Sequence, residues 1–433
     1  MALKRISGLV IATSETSPGE ESGHYKWLLV GMLFVVACLN YADRGSLNAI
    51  FPLLRKQLGM SDVSLAATSS IFLWSYALCS PFAGYVGDRF SRSAIITWGL
   101  AAWSLLMVLT GLARNESELL FMRVPLGIAE SLYVPASIAL IADHHSTSTR
   151  GTAFSIHLCG FYAGVVAGGW LSGYIGQVYG WRYSLFTLGV IGVLFAAFAG
   201  RVLRDRPRLK SADGYPASVR PGVSLLEISR VRSFWFLLIE AFLFAAVIFI
   251  LNTWLPLFFH DAFGTSLAQA AFQANFAVQA GGVIGVLIGG WISDVVGRRN
   301  LRHRMLIQVC CDLVSAPLLL VFLLMPNAAM VQLVLFFFTL IRFAGGANAN
   351  PVICDLIRAK HRALAFGIMN LTSCLSAGAG VLLAGMLKGR FGLPAIFSWV
   401  SILALVSGLF LLVSYCFFVR ADFELFGSQT GDV

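Results

Sequence analysis

The sequence predicts an all-α membrane protein, with twelve transmembrane helices in two pseudo-symmetric six-helix bundles. Three observations carry that expectation. Of 433 residues, 58% are hydrophobic and 12% charged, with a mean hydropathy of +0.80, whereas soluble chains hold about 25% charged residues. So much apolar surface must face lipid. The chain also divides into twelve apolar stretches of about 20 residues, the length that crosses a bilayer, and the second six repeat features of the first six.

In order, the expected spans are 27–49, 65–87, 94–113, 118–142, 151–176, 182–200, 233–258, 266–293, 304–325, 329–356, 364–387 and 395–419. Residues 1–26 form a polar tail without the apolar core and cleavage site of a signal peptide. Residues 27–200 make the first bundle. Residues 201–232 are a basic linker interrupted by Pro207, Gly214, Pro216 and Pro221, residues 233–419 make the second bundle, and 420–433 are a second tail.

The net charge of +10 would suggest a nucleic-acid partner in a soluble protein, but the basic residues sit in short clusters between apolar runs, such as Arg201, Arg204, Arg206, Arg208 and Lys210. Clusters of that kind set topology, so lipid is the expected surface and no nucleic acid. With a cytoplasmic N-terminus, 22 Lys and Arg fall in tails and cytoplasmic loops, against six outside, namely Arg55, Lys56, Arg114, Arg182, Lys388 and Arg390. Both termini are therefore expected inside. All eight cysteines lie in apolar runs without metal spacing, and His144-His145 precede Arg150 in a loop; no metal is expected.

The repeat is short but spaced consistently. Gly84-Tyr-Val-Gly-Asp88-Arg89-Phe-Ser-Arg92 returns as Gly290-Trp-Ile-Ser-Asp294-Val-Val-Gly-Arg298, at an offset of 206. Asp143 and Arg150, seven apart, return as Asp355 and Arg362, at an offset of 212. Parallel repeats with a site between them are a transporter design. Neither a P-loop, a dinucleotide fingerprint nor an H-E-x-x-H motif is present, so neither enzyme activity nor a cofactor is expected.

The glycine-x-x-x-aspartate-x-x-x-arginine loop after span 2, copied after span 8, resembles the signature of the major facilitator superfamily over roughly residues 26–420. Tyr41-Ala42-Asp43-Arg44, the pattern Trp74, Tyr76, Asp88 and Arg89, the pattern Arg123, Gly127, Glu130 and Pro135, and Thr253-Trp254-x-Pro256 are similar to the anion:cation symporter family. The chain departs from that family at Ser80, Phe82 and Ala83 in span 2 and at His157 and Phe161-Tyr162 in span 5. Glu130-Ser-Leu-Tyr133 and Ile141-Ala-Asp143 are also similar to spinster-type lipid transporters. The resemblance implies a multi-pass protein of a bacterial inner membrane, monomeric, importing a small organic anion such as a sugar acid together with a proton or, alternatively, sodium. A carrier of lysolipids, or another exporter, is the alternative it implies.

Charged residues inside spans carry the functional signal, because an ionisable group at mid-membrane costs about 2.5–3.5 kcal/mol and seeks a cavity or a partner. Asp43, Arg44, Arg123, Glu130 and Arg342 are so placed. Arg123, Gly127 and Glu130 share one face of span 4, as Asn40, Arg44 and Asn48 share one face of span 1, so the two stripes are expected to line one cavity. An Asp43–Arg123 lock between helices is one reading. The other gives Arg44 and Arg123 to an anionic substrate, the planar guanidinium fork matching a carboxylate, and gives the coupling proton to Asp43 and Glu130. Burial favours the neutral form of a carboxyl and a nearby arginine the ionised form, so a group between the two can be switched.

Further substrate-binding candidates are Tyr76, Tyr133, His157, Arg342, Asn348 and Asn370, with Arg342 expected to face the cavity as the repeat counterpart of Glu130. Packing is the competing reading for the tyrosines, the asparagines and His157. Asp88, Arg89, Arg92, Asp143, Arg150, Asp294, Arg298, Asp355 and Arg362 are expected to gate the halves. Glu240 is expected in an interfacial pair near Arg230 and Arg232. Asp312 has no assigned role.

Overall fold

The computed structural model describes residues 23–206, 221–297, 300–324 and 327–426. Described helices occupy every expected span: span 1 is Gly23–Ala49, span 2 Asp62–Arg89, span 3 Arg92–Gly111, span 5 Thr147–Tyr179, span 6 Trp181–Val202, span 7 Arg232–Phe263 and span 8 Leu267–Gly297. Span 9 continues from His303–Ser315 through a 3-10 turn at Ala316–Leu320 into Val321–Leu324. Spans 11 and 12 are two helices within Ala359–Phe417, separated by a non-helical turn at Gly392 (φ 77°, ψ 159°). Gly180, 212 residues earlier, turns the chain between spans 5 and 6 with φ 104° and ψ 155°, and both positions need a residue free of the Cβ penalty at positive φ.

Local chemistry sets many of the boundaries. Ser61, Ser91, Asn115 and Asn327 accept the orphan N–H groups of Ser64, Ala94, Glu118 and Met330 at 2.9–3.1 Å, caps that each contribute about 1 kcal/mol. Spans 4 and 10 are each broken in two, as Glu116–Ser131 then Tyr133–His144, and Ala328–Gly346 then Ala349–Leu356. Pro135 and Pro351 explain the breaks, since a proline ring clashes with the carbonyl four residues back, here that of Ser131 and of Ala347.

The repeat extends to single hydrogen bonds. Arg92 pairs with Asp143, and Arg304 with Asp355 at 2.7 Å. Arg150 donates to the carbonyls of Ala142 and His145 at 3.3 Å, and Arg362 to those of Cys354 and Ile357 at 2.6 and 2.9 Å. Each member lies 212 residues from its counterpart. The structural partner of Arg92 is thus Arg304, not Arg298 as motif alignment suggested, because the connection between spans 8 and 9 is longer than that between spans 2 and 3.

Within each half, glycines bring helices together: a Cβ at Gly168 would strike Ala42 of span 1. Between halves, span 5 lies on span 8 and span 2 on span 11. Gly173 faces the Leu267–Ala268 backbone, where a Cβ would come within 2.7 Å, and Gly385 faces Ala66 and Asp62. The halves are joined at the end far from the described termini. There the Asp62 carboxylate accepts from Arg55 of its own half and from Lys388 of the other, both at 2.7 Å, Arg55 approaches Asp261 at 3.6 Å, and Gln177 accepts from the Leu267 N–H at 3.0 Å. Large apolar side chains such as Trp98, Phe121, Leu324 and Phe417 remain exposed around the perimeter, where a bilayer would cover them.

Candidate functional site

Between the halves lies a cavity of about 290 Å³. Spans 1, 2, 4 and 5 contribute Tyr41, Asp43, Arg44, Asn48, Phe72, Arg123, Glu130 and Tyr162 to its wall, and spans 7, 8 and 10 contribute Phe244, Asn252, Thr253, Gln279 and Phe343. The two polar stripes read from helical spacing do converge. Gly127, between Arg123 and Glu130, lets span 4 press on span 2, since a Cβ there would come 2.6 Å from the Phe72 carbonyl oxygen.

The pairing within the cavity differs from the lock expected between Asp43 and Arg123. Arg44 is the residue that is salt-bridged: its Nε and Nη2 both donate to Glu130 Oε2, at 3.3 and 3.2 Å. Three rings surround the same guanidinium, with Tyr41 at 4.4 Å, Phe72 at 4.9 Å and Tyr76 at 5.2 Å from its carbon. Arg123 instead donates to Thr110 Oγ1 at 3.1 Å, and its Nε has no hydrogen-bond partner among the described residues. Among those residues no hydrogen bond or ion pair reaches the Asp43 carboxyl either, which is buried yet borders the cavity. Glu130 Oε1 is buried without a hydrogen-bond partner there. The cavity therefore holds one engaged pair, Arg44 and Glu130, and two charged groups with bonding capacity to spare, Arg123 and Asp43.

Several other candidates lie elsewhere. Arg342 is fully buried inside the C-terminal half, in ion-pair contact with Asp312, 3.6 Å from Glu240 and donating to Ser407 Oγ at 3.0 Å; it does not line the cavity. The reason is rotational: on span 10 it is Phe343 that faces the cavity, while Arg342 turns toward spans 7, 9 and 12. This also corrects Glu240, which is buried and turned toward Arg342 rather than toward Arg230 and Arg232, and it accounts for Asp312. Asn348 donates back to the Ala344 and Gly345 carbonyls at the break of span 10, and so closes a helix end. Tyr133 donates to the Leu33 carbonyl at 2.9 Å and sits 2.9 Å from His157 Nε2, a sealed packing pair. Asn370 donates to Ser80 across the halves at 3.2 Å. Tyr76 is not on the cavity wall and meets the site through Arg44 and Phe72.

Of the gating candidates, Arg92, Asp143, Arg150, Asp355 and Arg362 bond within their own halves. Arg89 and Asp294 are exposed at helix ends. Arg298 and the side chain of Asp88 lie outside the described residues. Sequence reasoning missed the junction of Arg55, Asp62, Asp261 and Lys388, and also Asn252 and Gln279, whose side chains meet at 3.3 Å on the cavity wall. Their signal was available, as amides within otherwise apolar stretches.

A second, apolar groove of about 590 Å³ lies between spans 5 and 8, lined by Trp170, Phe272, Phe276 and Val283 among others. Tyr162 and Gln279 belong to the walls of both the groove and the central cavity.

Comparison with known proteins places this geometry in a family context. The sequence model described as Major Facilitator Superfamily matches residues 33–349. The chain is 24% identical over 408 residues to the probable galactarate/D-glucarate transporter GudP of Escherichia coli (strain K12), spanning 86% of this chain and 89% of that protein. It is 24% identical to the hexuronate transporter of Bacillus subtilis (strain 168), covering 83% and 87%. Among solved structures, a bacterial homolog of the human lysosomal transporter Spinster, in an inward-facing and unoccupied conformation, superposes with a TM-score of 0.76 at 19% identity, covering 94% of this chain and 99% of that one.

Proposed function

The chain belongs to the Major Facilitator Superfamily, whose members are transporters and not enzymes, and we propose that it carries small organic anions, sugar acids foremost, by proton-coupled symport through alternating access. The observation that carries this reading is the gathering of two arginines and two carboxyls on one wall of a 290 Å³ cavity that both halves enclose. Resemblance to sugar-acid transporters supports the substrate class.

The charges suggest how the coupling works. Glu130 in its ionised form occupies Arg44. A proton on Glu130 removes that competition and leaves the guanidinium fork for a substrate carboxylate, the planar bidentate contact arginine makes best. Asp43 and Arg123, which are not bonded to each other, add a second carboxyl and a second cation beside that pair. Asn252, Thr253 and Gln279 on the opposite wall, with Asn48 on the span that carries Arg44, supply neutral donors and acceptors for hydroxyls. Release of the anion and the proton on the same side restores the Arg44–Glu130 bond and resets the carrier. The bias of lysine and arginine supports an orientation with both termini in the cytoplasm, which would make the joined far end the outer one and the cell membrane of a bacterium the place of action.

A specific observation favours a second reading. The apolar groove between spans 5 and 8 abuts the cavity through Tyr162 and Gln279, which suits an amphiphile whose headgroup meets the arginines while its chain stays in the groove.

Uptake into proteoliposomes under an imposed pH gradient, screened over hexuronates, aldonates, other carboxylates and lysolipids, separates the two, with a sodium gradient as the parallel arm. Accumulation of a small acid driven by pH is expected. Glu130→Gln should abolish that accumulation and preserve exchange of solute across the membrane. Accumulation of a lysolipid and no small acid would overturn the ranking, and pH-driven accumulation surviving in Glu130→Gln would remove that residue from the coupling.

A further inference from the structure

The C-terminal half encloses a second set of charges that the central cavity does not use. Glu240 of span 7, Asp312 of span 9 and Arg342 of span 10 are 3%, 1% and 0% exposed. Span 12 adds Ser407, whose Oγ donates to Asp312 Oδ2 at 2.9 Å and accepts from Arg342 Nη2 at 3.0 Å. Cys311, next to Asp312 on span 9, is the other titratable side chain beside the cluster from these elements among the described residues.

Two carboxyls against one guanidinium leave one negative charge in excess if both are ionised. In the interior of a membrane bundle that excess is far costlier than a neutral acid. Something of charge +1 must therefore belong to the site. Arg342 stands between the two acids, so a metal ion there would lie against a fixed positive charge, whereas a proton needs only an oxygen.

The contacts also distinguish the two acids. Asp312 touches the guanidinium and accepts from Ser407, the partners an ionised carboxylate requires. Glu240 lies 3.6 Å from Arg342 Nη2, beyond a hydrogen bond. Gln308, one turn before Asp312 on span 9, is fully buried and within reach of Glu240, and its amide oxygen has no hydrogen-bond donor among the described residues. A neutral carboxylic acid is the group that would satisfy it, because its hydroxyl can donate to the amide oxygen while its carbonyl accepts from the amide nitrogen.

We propose that the C-terminal half holds a proton of its own, on Glu240 between Arg342 and Gln308, in a site separate from the carboxyls of the central cavity. The site is one ring away from that cavity. Arg342 lies 5.0 Å over the ring of Phe244, and Phe244 and Phe343, with centroids 5.4 Å apart, line the cavity wall. A solute that moves Phe244 changes the support of Arg342, and with it the hold on the proton.

The test is made on the purified full-length chain in lipid vesicles and needs no solute, so its failure would leave the anion reading standing. Infrared spectra near neutral pH are expected to show a neutral carboxylic acid band that disappears in Glu240→Gln. The band should also disappear in Asp312→Asn, where Glu240 becomes the only counter-ion of Arg342 and ionises. Glu240→Gln imitates the protonated acid and should unfold at the temperature of the parent protein. The double variant, which strands Arg342, should unfold well below it. A band unchanged in Glu240→Gln overturns the proposal, as does a single variant as unstable as the double. A band absent from the parent, with an unfolding temperature that rises with sodium concentration at fixed ionic strength, would assign the site to a metal ion instead.

Discussion

Position 130 of the first half holds a glutamate that closes one wall of the central cavity; 212 residues on, the second half holds Arg342, sealed behind Phe244 among side chains of its own bundle. The helices that carry them break in the same way, next to Pro135 and Pro351, and the loops beyond them keep the same arginine-to-carbonyl bonds. Duplication has preserved the scaffold, while one half has turned its charges toward the space between the bundles and the other has turned them inward. A repeat therefore transfers geometry of the backbone more faithfully than it transfers the direction of a side chain, which a rotation of less than one residue's turn is enough to change.

The contrast can be broken by experiment, beginning where the expected effect is largest. Arg44→Ala leaves Glu130 buried without its partner and removes the cation from the cavity. Losses at such truncated charge pairs run to about 3–4 kcal/mol, so apparent affinity in proteoliposome uptake should fall several-hundred-fold, by roughly that conversion. Arg44→Lys should recover only part of it, since an ammonium keeps the charge but loses the fork and the stacking. Arg342→Met should act on the fold instead, lowering stability by about 3 kcal/mol, at the low end for a broken buried pair because Asp312 can take up a proton once its partner is gone. Thermal unfolding of the purified protein reads this, and solute affinity of the folded fraction should change far less than in Arg44→Ala. If Arg342→Met lost solute binding at unchanged stability, the contrast between the halves would be reversed.

Smaller effects sharpen the comparison at the interface of the halves. Gly173→Val drives a side chain into the Leu267–Ala268 backbone and should disfavour the joined far end by about 1–3 kcal/mol, seen as a longer distance between spin labels at positions 56 and 390. Asp62→Asn weakens the contacts to Arg55 and Lys388. Partly exposed pairs of this kind are worth about 1 kcal/mol or less, so the same distance should shift only slightly, and less still in high salt.

Much of this molecule could be read from the chain alone. Hydropathy located the spans because lipid imposes one rule on every residue that faces it, and the spacing of Arg44, Arg123 and Glu130 placed them on converging faces. Partners were harder to read. Asp43, Arg44, Arg123 and Glu130 permit more than one pairing, and a choice among them depends on how spans 1 and 4 are rotated and how close they lie. Arg342 was misplaced by trusting the repeat. Charge balance held a better clue, since Glu240 and Asp312 are two acids inside spans of the same half as Arg342, the one base well inside a span there. Asn348 was misread for a similar reason, although Pro351 three residues later announced the helix end that Asn348 closes. The junction of Asp62 with Lys388 joins residues more than 300 positions apart and left no local trace.

The ring cage around Arg44 has one further consequence. A guanidinium wedged among Tyr41, Phe72 and Tyr76 has few rotamers left to lose when an anion docks, so the freedom usually surrendered by a long flexible side chain on binding has already been given up during folding. Discrimination at this position then rests on shape. A flat carboxylate that approaches along the open edge of the guanidinium fits without rearrangement, and a bulkier tetrahedral anion must push the aromatic walls apart.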